Sequence, residues 1–249
     1  MEVNVVHSGS SGNLCVIDGV IAIDAGWQYD RISTLKGLFL THMHTDHTKY
    51  LQDFACVPIY ATEETASKLM EKRFPYIAFN KIDVRKIIGI ENGNDMYIIS
   101  LWLMKHDAPC IGFEIRKDEE VIFYATDFNE IVDEERFVKL LRDKHFDALY
   151  IECNNTLLPT DFLDVYFGEE VPRDEFHRRK SYENHCNVGY LYSLFERAGY
   201  TSKRRFTEPV TLLHKSSFYY MQNPERLVEL QKIANIQNLM FETDNLKTK

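Results

Sequence analysis

Thr41-His42-Met43-His44-Thr45-Asp46-His47 places four metal-competent side chains within six residues, directly after the apolar run Leu38–Leu40. Neutral imidazole and carboxylate are ordinary donors to zinc and its neighbours. His42 and His44, two residues apart, can turn toward one side of the chain, and the adjacent Asp46 and His47 can serve a second ion. Packed together without a cation, three imidazoles and a carboxylate would carry a large desolvation cost. The stretch therefore reads as the heart of a metal centre at the end of a buried strand.

Working outward, the same position recurs three times. His106 follows the apolar run Met96–Met104, Asp127 follows Val121–Ala125, and His214 follows Val210–Leu213. One His or Asp at the end of a strand is ordinarily structural. Three of them, placed as His42 is, point to strand ends converging on one edge of a sheet sandwich. The remaining pattern is that of an α/β chain. Val3–Val6, Leu14–Ile17 and Val20–Ile23 read as consecutive antiparallel strands joined by tight turns. Phe113–Arg116 and Ala148–Ile151 read as further strands. Thr62–Phe74 reads as a helix with Ala66, Leu69 and Met70 on one face. Asn129–Lys144 is a second helix, acidic early and basic late, and Pro224–Phe241 a third with proline in its first turn. Residues 154–183 are irregular, aromatic and charged, and are read as an insertion beside the site within a single domain spanning 1–249.

Hydrophobic residues make up 45% of the 249 and charged residues 27%, an ordinary globular balance that excludes wholesale disorder. No apolar run approaches the ~20 residues of a bilayer span, and the N-terminus shows neither a basic leader nor a signal core, so a cytoplasmic protein without membrane association is expected. The five scattered cysteines read as reduced core thiols, with Cys186 set apart by its neighbour His185. A formal charge of −9 leans against a long nucleic-acid partner, which normally meets a basic face. The short basic clusters Arg178-Arg179-Lys180 and Lys203-Arg204-Arg205 read as solvated surface.

Taken together, the motif and its distant His, Asp and His resemble the metallo-β-lactamase superfamily. That resemblance implies an αββα sandwich of two mixed sheets flanked by helices. It implies His42, His44 and His106 on one ion, Asp46, His47 and His214 on the other, and Asp127 bridging. The cofactor implied is two zinc ions per chain, with manganese as the alternative. Ser8-Gly9-Ser10-Ser11-Gly12-Asn13 and Ile23-Asp24-Ala25-Gly26 resemble the opening of phosphodiesterase-type members. Ser10, Ser11 and Asn13 are thereby candidate contacts to a substrate anion, although an ordinary hairpin turn would use the same residues. Asp24 is expected to be structural or to support a ligand from behind.

His185-Cys186-Asn187 is similar to a short element of tRNase Z-like and exonuclease-like relatives. It implies His185 as proton donor to the leaving group, with Asn187 near the substrate. Leu213-His214-Lys215-Ser216 is similar to their last ligand motif. Cys186 departs from the usual pattern, and the long tRNA-clamping arm has no counterpart. Of the other histidines, His145 is read as a cap or surface residue and His177 as solvated, while His7 abuts the Ser-Gly turn and is a candidate to approach the site.

The chemistry expected of such a centre is phosphodiester hydrolysis, with Asp46 orienting the nucleophile and His185 protonating the departing alkoxide. Lactam or thioester hydrolysis has less need of a proton donor or of a Ser/Gly anion pocket. Among phosphodiesterases, the chain resembles compact phage-encoded anti-Pycsar enzymes. This implies a cyclic mononucleotide substrate, a counter-defence role and residence in the host cytoplasm, with no stable nucleic-acid polymer as partner. A nuclease acting on RNA or DNA is the alternative. Tyr166, Phe167, Phe176 and Tyr182 would stack a base, or else pack in a core or dimer contact. A homodimer using Phe162–Tyr182 is expected.

Overall fold

Alternation of side chains along the strands dictates the layering. A computed structural model of the chain describes residues 1–158, 173–216 and 224–237. The first sheet begins with β1 (Val3–Gly9), β2 (Gly12–Ile17) and β3 (Ile21–Ile23), paired antiparallel in that order. It continues through β4 (Gly37–Phe39), the one-turn helix α1 (Thr45–Thr48), β5 (Ile59–Thr62), α2 (Glu63–Lys72) and β6 (Phe79–Ile82). From β3 onward the pairing is parallel, in the order β1-β2-β3-β4-β5-β6.

The second sheet opens with an antiparallel meander, β7 (Ile88–Asn92), β8 (Asp95–Lys105), β9 (Cys110–Lys117) and β10 (Glu120–Ala125). After β11 (Glu130–Ile131) and α3 (Glu134–Arg142) it turns parallel, adding β12 (Ala148–Glu152). It then passes through α4 (Arg173–Asn184) and α5 (Val188–Arg197) to β13 (Phe206–Leu213), and through α6 (Pro224–Ile233) to β14 (Ala234–Ile236). Its order is β11-β8-β9-β10-β12-β13-β14, with β7 also on β8.

Every second residue faces the other sheet. Cys15, Ile17, Ile21 and Ile23 from the first sheet pack on Tyr97, Ile99, Phe113, Ile122 and Tyr124 from the second, forming the apolar layer between them. The intervening residues face outward. Leu14, Val16 and Ala22 meet Ala66 and Leu69 of α2. On the far side Val121, Phe123 and Ala125 meet α3, α5 and α6 through Phe137, Leu141, Leu191, Phe195 and Leu230. The result is the expected αββα arrangement of two mixed sheets between helices. The described residues contain no helix long and apolar enough to cross a membrane.

Several expected elements move. The helix expected from Asn129 begins only at Glu134, because Asp133 takes the Arg136 N–H at 3.2 Å, while Glu130–Ile131 pairs with β8. Met70 is exposed rather than on the buried face of α2. The closing helix stops at Ile233, and Ala234–Ile236 pairs with β13 instead of continuing it. Within the supposedly irregular 154–183 stretch, Arg173–Asn184 is helical. Tyr166 and Phe167 lie outside the described residues, as do most of the residues assigned to a dimer contact and the side chains of Phe176 and His177.

Phe123 holds the second sheet to α3, its ring 4.8 Å from Phe137, 5.5 Å from Phe146 and 5.6 Å from Trp102. Phe123→Ala is expected to destabilise the fold by roughly 3–5 kcal/mol, through lost burial and the cavity left behind. Urea unfolding measures this directly. A loss below about 1 kcal/mol would show that the aromatic layer collapses around the gap or is not what fastens the helix.

Candidate metal centre

Strand ends supply the candidate ligands, and three of the site's residues need unusual backbone there. Asp24 (φ 62°) follows β3, Asp127 (φ 55°) follows β10 and His214 (φ 50°) follows β13. The left-handed region is uncommon outside glycine, and holding a side chain in it costs on the order of 1 kcal/mol. His214 is held by two contacts. Its N–H donates to Ser8 Oγ at 2.8 Å, and its carbonyl accepts from Asn154 Nδ2 at 2.9 Å. The glycines of the opening motifs have a different task. A Cβ on Gly26 would lie 1.6 Å from the Asp46 carbonyl and 2.5 Å from Asn13 N, and one on Gly12 would lie 2.3 Å from the Gly26 carbonyl. Only bare backbone lets the β1–β2 turn and the chain after β3 close against α1, which carries Asp46 and His47.

The donors meet around Asp127. Its Oδ2 lies 2.8 Å from His47 Nε2 and 3.6 Å from His42 Nε2, while His44 Nδ1 lies 3.3 Å from His106 Nε2 and Asp46 Oδ2 3.4 Å from His47 Nε2. Three overlapping groups result, each with its donor atoms within 4.8 Å of one another. They are His42, His44, His106 and Asp127; Asp46, His47 and Asp127; and Asp127, Glu152, His185 and His214. All seven residues of the expected ligand set thus fall within these overlapping groups, with Asp127 common to each; His214 is grouped with Glu152 and His185, and Asp46 with His47. The fit to cations is tested by what is left unpaired. Among the described residues, His42 Nε2 and His214 Nε2 are buried without a hydrogen-bond partner, and buried Asp127 Oδ1 has the Nδ1 atoms of His185 and His214 beside it at 3.1 and 3.2 Å. An unmade bond of that kind costs about 1–3 kcal/mol, and a cation at each would remove the cost.

Behind the donors, a second ring of groups fixes the imidazoles. Asp24 is fully buried and accepts from Thr41 N at 2.9 Å and Thr41 Oγ1 at 2.9–3.0 Å, and its Oδ2 lies 2.7 Å from His47 Nδ1. Burial works against an imidazolium at His47, yet the Asp24 charge and contacts with Asp127 and Asp46 raise its pKa well above the usual value. Burial, reinforced by the positive neighbour His47, holds His42 well below. Burial would raise Asp127, but His214, His185 and His47 keep it well below the ordinary carboxylate range. The surrounding carboxylates thus favour a proton on His47, while burial disfavours one on His42.

Glu152, which sequence reasoning passed over, closes the ring. Fully buried at the end of β12, it accepts from Phe128 N at 2.6 Å and contacts His185 Nδ1 at 2.7 Å and His214 Nδ1 at 3.1 Å. Its signal was available, because it ends an apolar run just as His106, Asp127 and His214 follow theirs. Burial depresses His185, but the Glu152 charge and hydrogen bonds with Asp127 and Glu152 raise it to about 10.

The expected substrate contacts divide. Ser10 and Ser11 are exposed. Asn13 is fully buried, with Nδ2 3.1 Å from the Gly9 carbonyl and 3.0 Å from His47 Nε2, so it braces the centre from within. Asn187 is also buried and uses its side-chain oxygen to cap α5 at Tyr190 N, 2.9 Å away. Both amides are thus engaged inside the fold. His7 stacks on Trp27 with centroids 3.9 Å apart and donates Nδ1–H to the Gly12 carbonyl at 2.7 Å. That leaves its Nε2 to accept from Ser11 Oγ at 3.3 Å. His145 pairs with Glu114 at 3.0 Å, away from the centre.

Residues 21–156 match the Beta-lactamase superfamily domain. A search of curated proteins returns no match. Among solved structures the chain is similar to the metallo-beta-lactamase fold protein YhfI from Bacillus subtilis, at 15% identity and a TM-score of 0.63 over 94% of this chain and 95% of that one. It is also similar to Zn2+-bound PqqB from Methylobacterium extorquens, at 13% identity and a TM-score of 0.64 over 95% and 97%. Human tRNase Z, short form, matches at 16% identity and a TM-score of 0.55 over 95% and 96%. At such identities the likeness is one of fold.

Because His47 must surrender a proton before a cation can take its Nε2, metal binding should release protons. Its pKa is raised, so the competition persists until pH climbs past that raised value. Affinity should therefore rise roughly tenfold per pH unit for each proton displaced, between about pH 6 and 8. Calorimetric titration in buffers of differing ionisation enthalpy counts the protons. An affinity that stays flat across the range would exclude a protonated His47 as donor.

Proposed function

Since the chain belongs to the beta-lactamase superfamily, we propose that it is a dinuclear metal phosphodiesterase opening 3′,5′-cyclic mononucleotides to linear monophosphates. The observation that carries the phosphodiester reading is the His185–Glu152 pair beside the ligand cluster, with Nδ1 and Oε1 2.7 Å apart. An ester alkoxide is a poor leaving group and needs a proton as the P–O bond breaks. Glu152 occupies Nδ1 of His185, which leaves Nε2 to deliver that proton. With its side chain about one-fifth exposed, His185 can reach a bound ester while its carboxylate partner stays buried.

When bound, two divalent ions supply positive charge to the phosphoryl oxygens and lower the pKa of water. The donor set, five imidazoles and two carboxylates, suits zinc best among common ions, with manganese the alternative. Asp46 is the more open of the two expected carboxylate ligands. Burial would raise its pKa, but the His47 hydrogen bond and charge lower it, so it stays ionised and able to orient an attacking water. The water oxygen bonds to phosphorus as it gives up a proton to ionised Asp46, the ring P–O bond breaks, the departing oxygen takes its proton from His185, and exchange with solvent returns both residues to their starting states.

The substrate class rests on charge. A chain at −9 has little to offer the many phosphates of a polymer, whereas a cyclic mononucleotide brings a single phosphate, met by the ions. A nuclease is the second reading, favoured by the likeness in fold to tRNase Z.

Two measurements test this. His185→Ala is expected to keep its metal and to lose about 10²–10⁴ in rate on alkyl esters, with a much smaller loss when the leaving group is nitrophenolate. Equal loss on both would remove His185 from proton delivery. Across a panel of cyclic mononucleotides, cyclic dinucleotides, RNA and DNA, the cyclic mononucleotides should turn over fastest with little salt dependence. Oligonucleotides cut at least as fast would replace this reading with the nuclease.

A further inference from the structure

A ligating imidazole normally hands its second ring N–H to an acceptor that fixes its tautomer and angle. Following both nitrogens of each candidate histidine gives a complete account. His47 has Nε2 on the cluster and Nδ1 on Asp24. His42 has an unpaired Nε2 and Nδ1 3.0 Å from Thr41 Oγ1. His214 has an unpaired Nε2 and Nδ1 on Glu152. His106 has Nε2 on the cluster and Nδ1 3.4 Å from the Asn184 carbonyl. His44 turns Nδ1 to the cluster, and its Nε2 lies 3.5 Å from Asp107 Oδ1.

Four of these outer partners come from packed structure: Thr41, Asp24 and Glu152 are fully buried, and the fourth is the backbone carbonyl that ends α4. The fifth differs. Asp107 lies in the short loop joining β8 to β9, and its side chain is 54% exposed. The same oxygen lies 3.0 Å from His106 Nε2, the nitrogen that faces the cluster. Once that nitrogen's lone pair is given to a cation, it no longer has a proton to offer Asp107. The group left for the carboxylate is then the Nε2–H of His44.

We infer that Asp107 is a positioning residue for the three-histidine ion. Its carboxylate takes the Nε2–H of His44, directs Nδ1 at the ion, and, among the described residues, makes this the position of the pair whose hold is set from solvent. The inference rests on the metal-centre reading above. Among the described residues the Asp46/His47 position has no such exposed support, since Asp24 fixes His47 from within the core. The two ions should therefore respond differently to a change in the loop.

The experiment is chelator competition on zinc-loaded protein, which resolves two dissociation constants, with wild type compared with Asp107→Ala and Asp107→Asn. Melting curves run alongside, where an exposed loop substitution should move little. Asp107→Ala is expected to weaken one zinc ion at least about tenfold and leave the other within twofold. The second ion thereby controls for the lost negative charge. Asp107→Asn keeps an acceptor oxygen and should fall between the two. In ¹⁵N-histidine spectra of the zinc form, a slowly exchanging Nε2–H on His44 should be present in wild type and lost in Asp107→Ala. Two unchanged constants, or an equal loss at both, would overturn the role given to Asp107. A wild type that binds no zinc would overturn the metal-centre reading itself, a distinct result.

Discussion

A buried ion pair between Asp24 and His47 is the constraint on which the rest of the site depends. Both side chains are inaccessible to solvent, and their nearest atoms are 2.7 Å apart. Burying two charges is costly, and their attraction offsets this only where hydrogen bonds satisfy the remaining lone pairs. Thr41 provides those bonds through its backbone N–H and hydroxyl, one residue before His42. One carboxylate thereby ties the end of β3, the end of β4 and α1 into a single unit. Four of the candidate donors are carried on that unit, so their spacing is settled before any ion arrives.

How much of this could be read from the chain depended on whether a signal was local. His42, His44, Asp46 and His47 are dense enough that no ordinary surface or core explains them. His106, Asp127 and His214 were legible because each follows an apolar run, although only β10 is buried almost throughout, and β8 alternates buried and exposed residues. Glu152 sits at an equivalent place but escaped notice. A single glutamate after Ala148–Ile151 looks like the polar residue at which a strand meets water, and only the fold shows it to be inaccessible. Asn13 and Asn187 show the opposite case. Polar residues beside glycine or histidine suggested contact with a ligand, while tertiary packing gave both amides internal partners.

The misplaced elements have similar causes. β6 carries Asn80 and Lys81 at its centre and lies at the edge of its sheet, so it shows no apolar alternation. α4, of sequence RDEFHRRKSYEN, has charged residues on every side and lacks the apolar stripe by which a helix announces itself. β14 continues the apolar pattern of α6 without a break. Only its pairing to β13, a long-range contact, converts those residues from helix to strand. In each case the deciding interaction joins residues far apart in the chain.

The placement of the donors has a consequence for how the core can change. His42, His44, Asp46 and His47 ride on the first sheet, while His106, Asp127 and His214 ride on the second. The apolar layer of Phe39, Phe113, Ile122 and Leu213 lies between the two sheets. That layer acts as a gauge block, and its thickness sets the gap across which the two halves of the centre face one another. A side chain enlarged there would spread the halves by a fraction of an ångström, a distance that close packing tolerates better than a coordination sphere does. Core composition is therefore expected to bear on which ion the donor set would prefer. A drift in residues that never touch an ion can retune which ion is held.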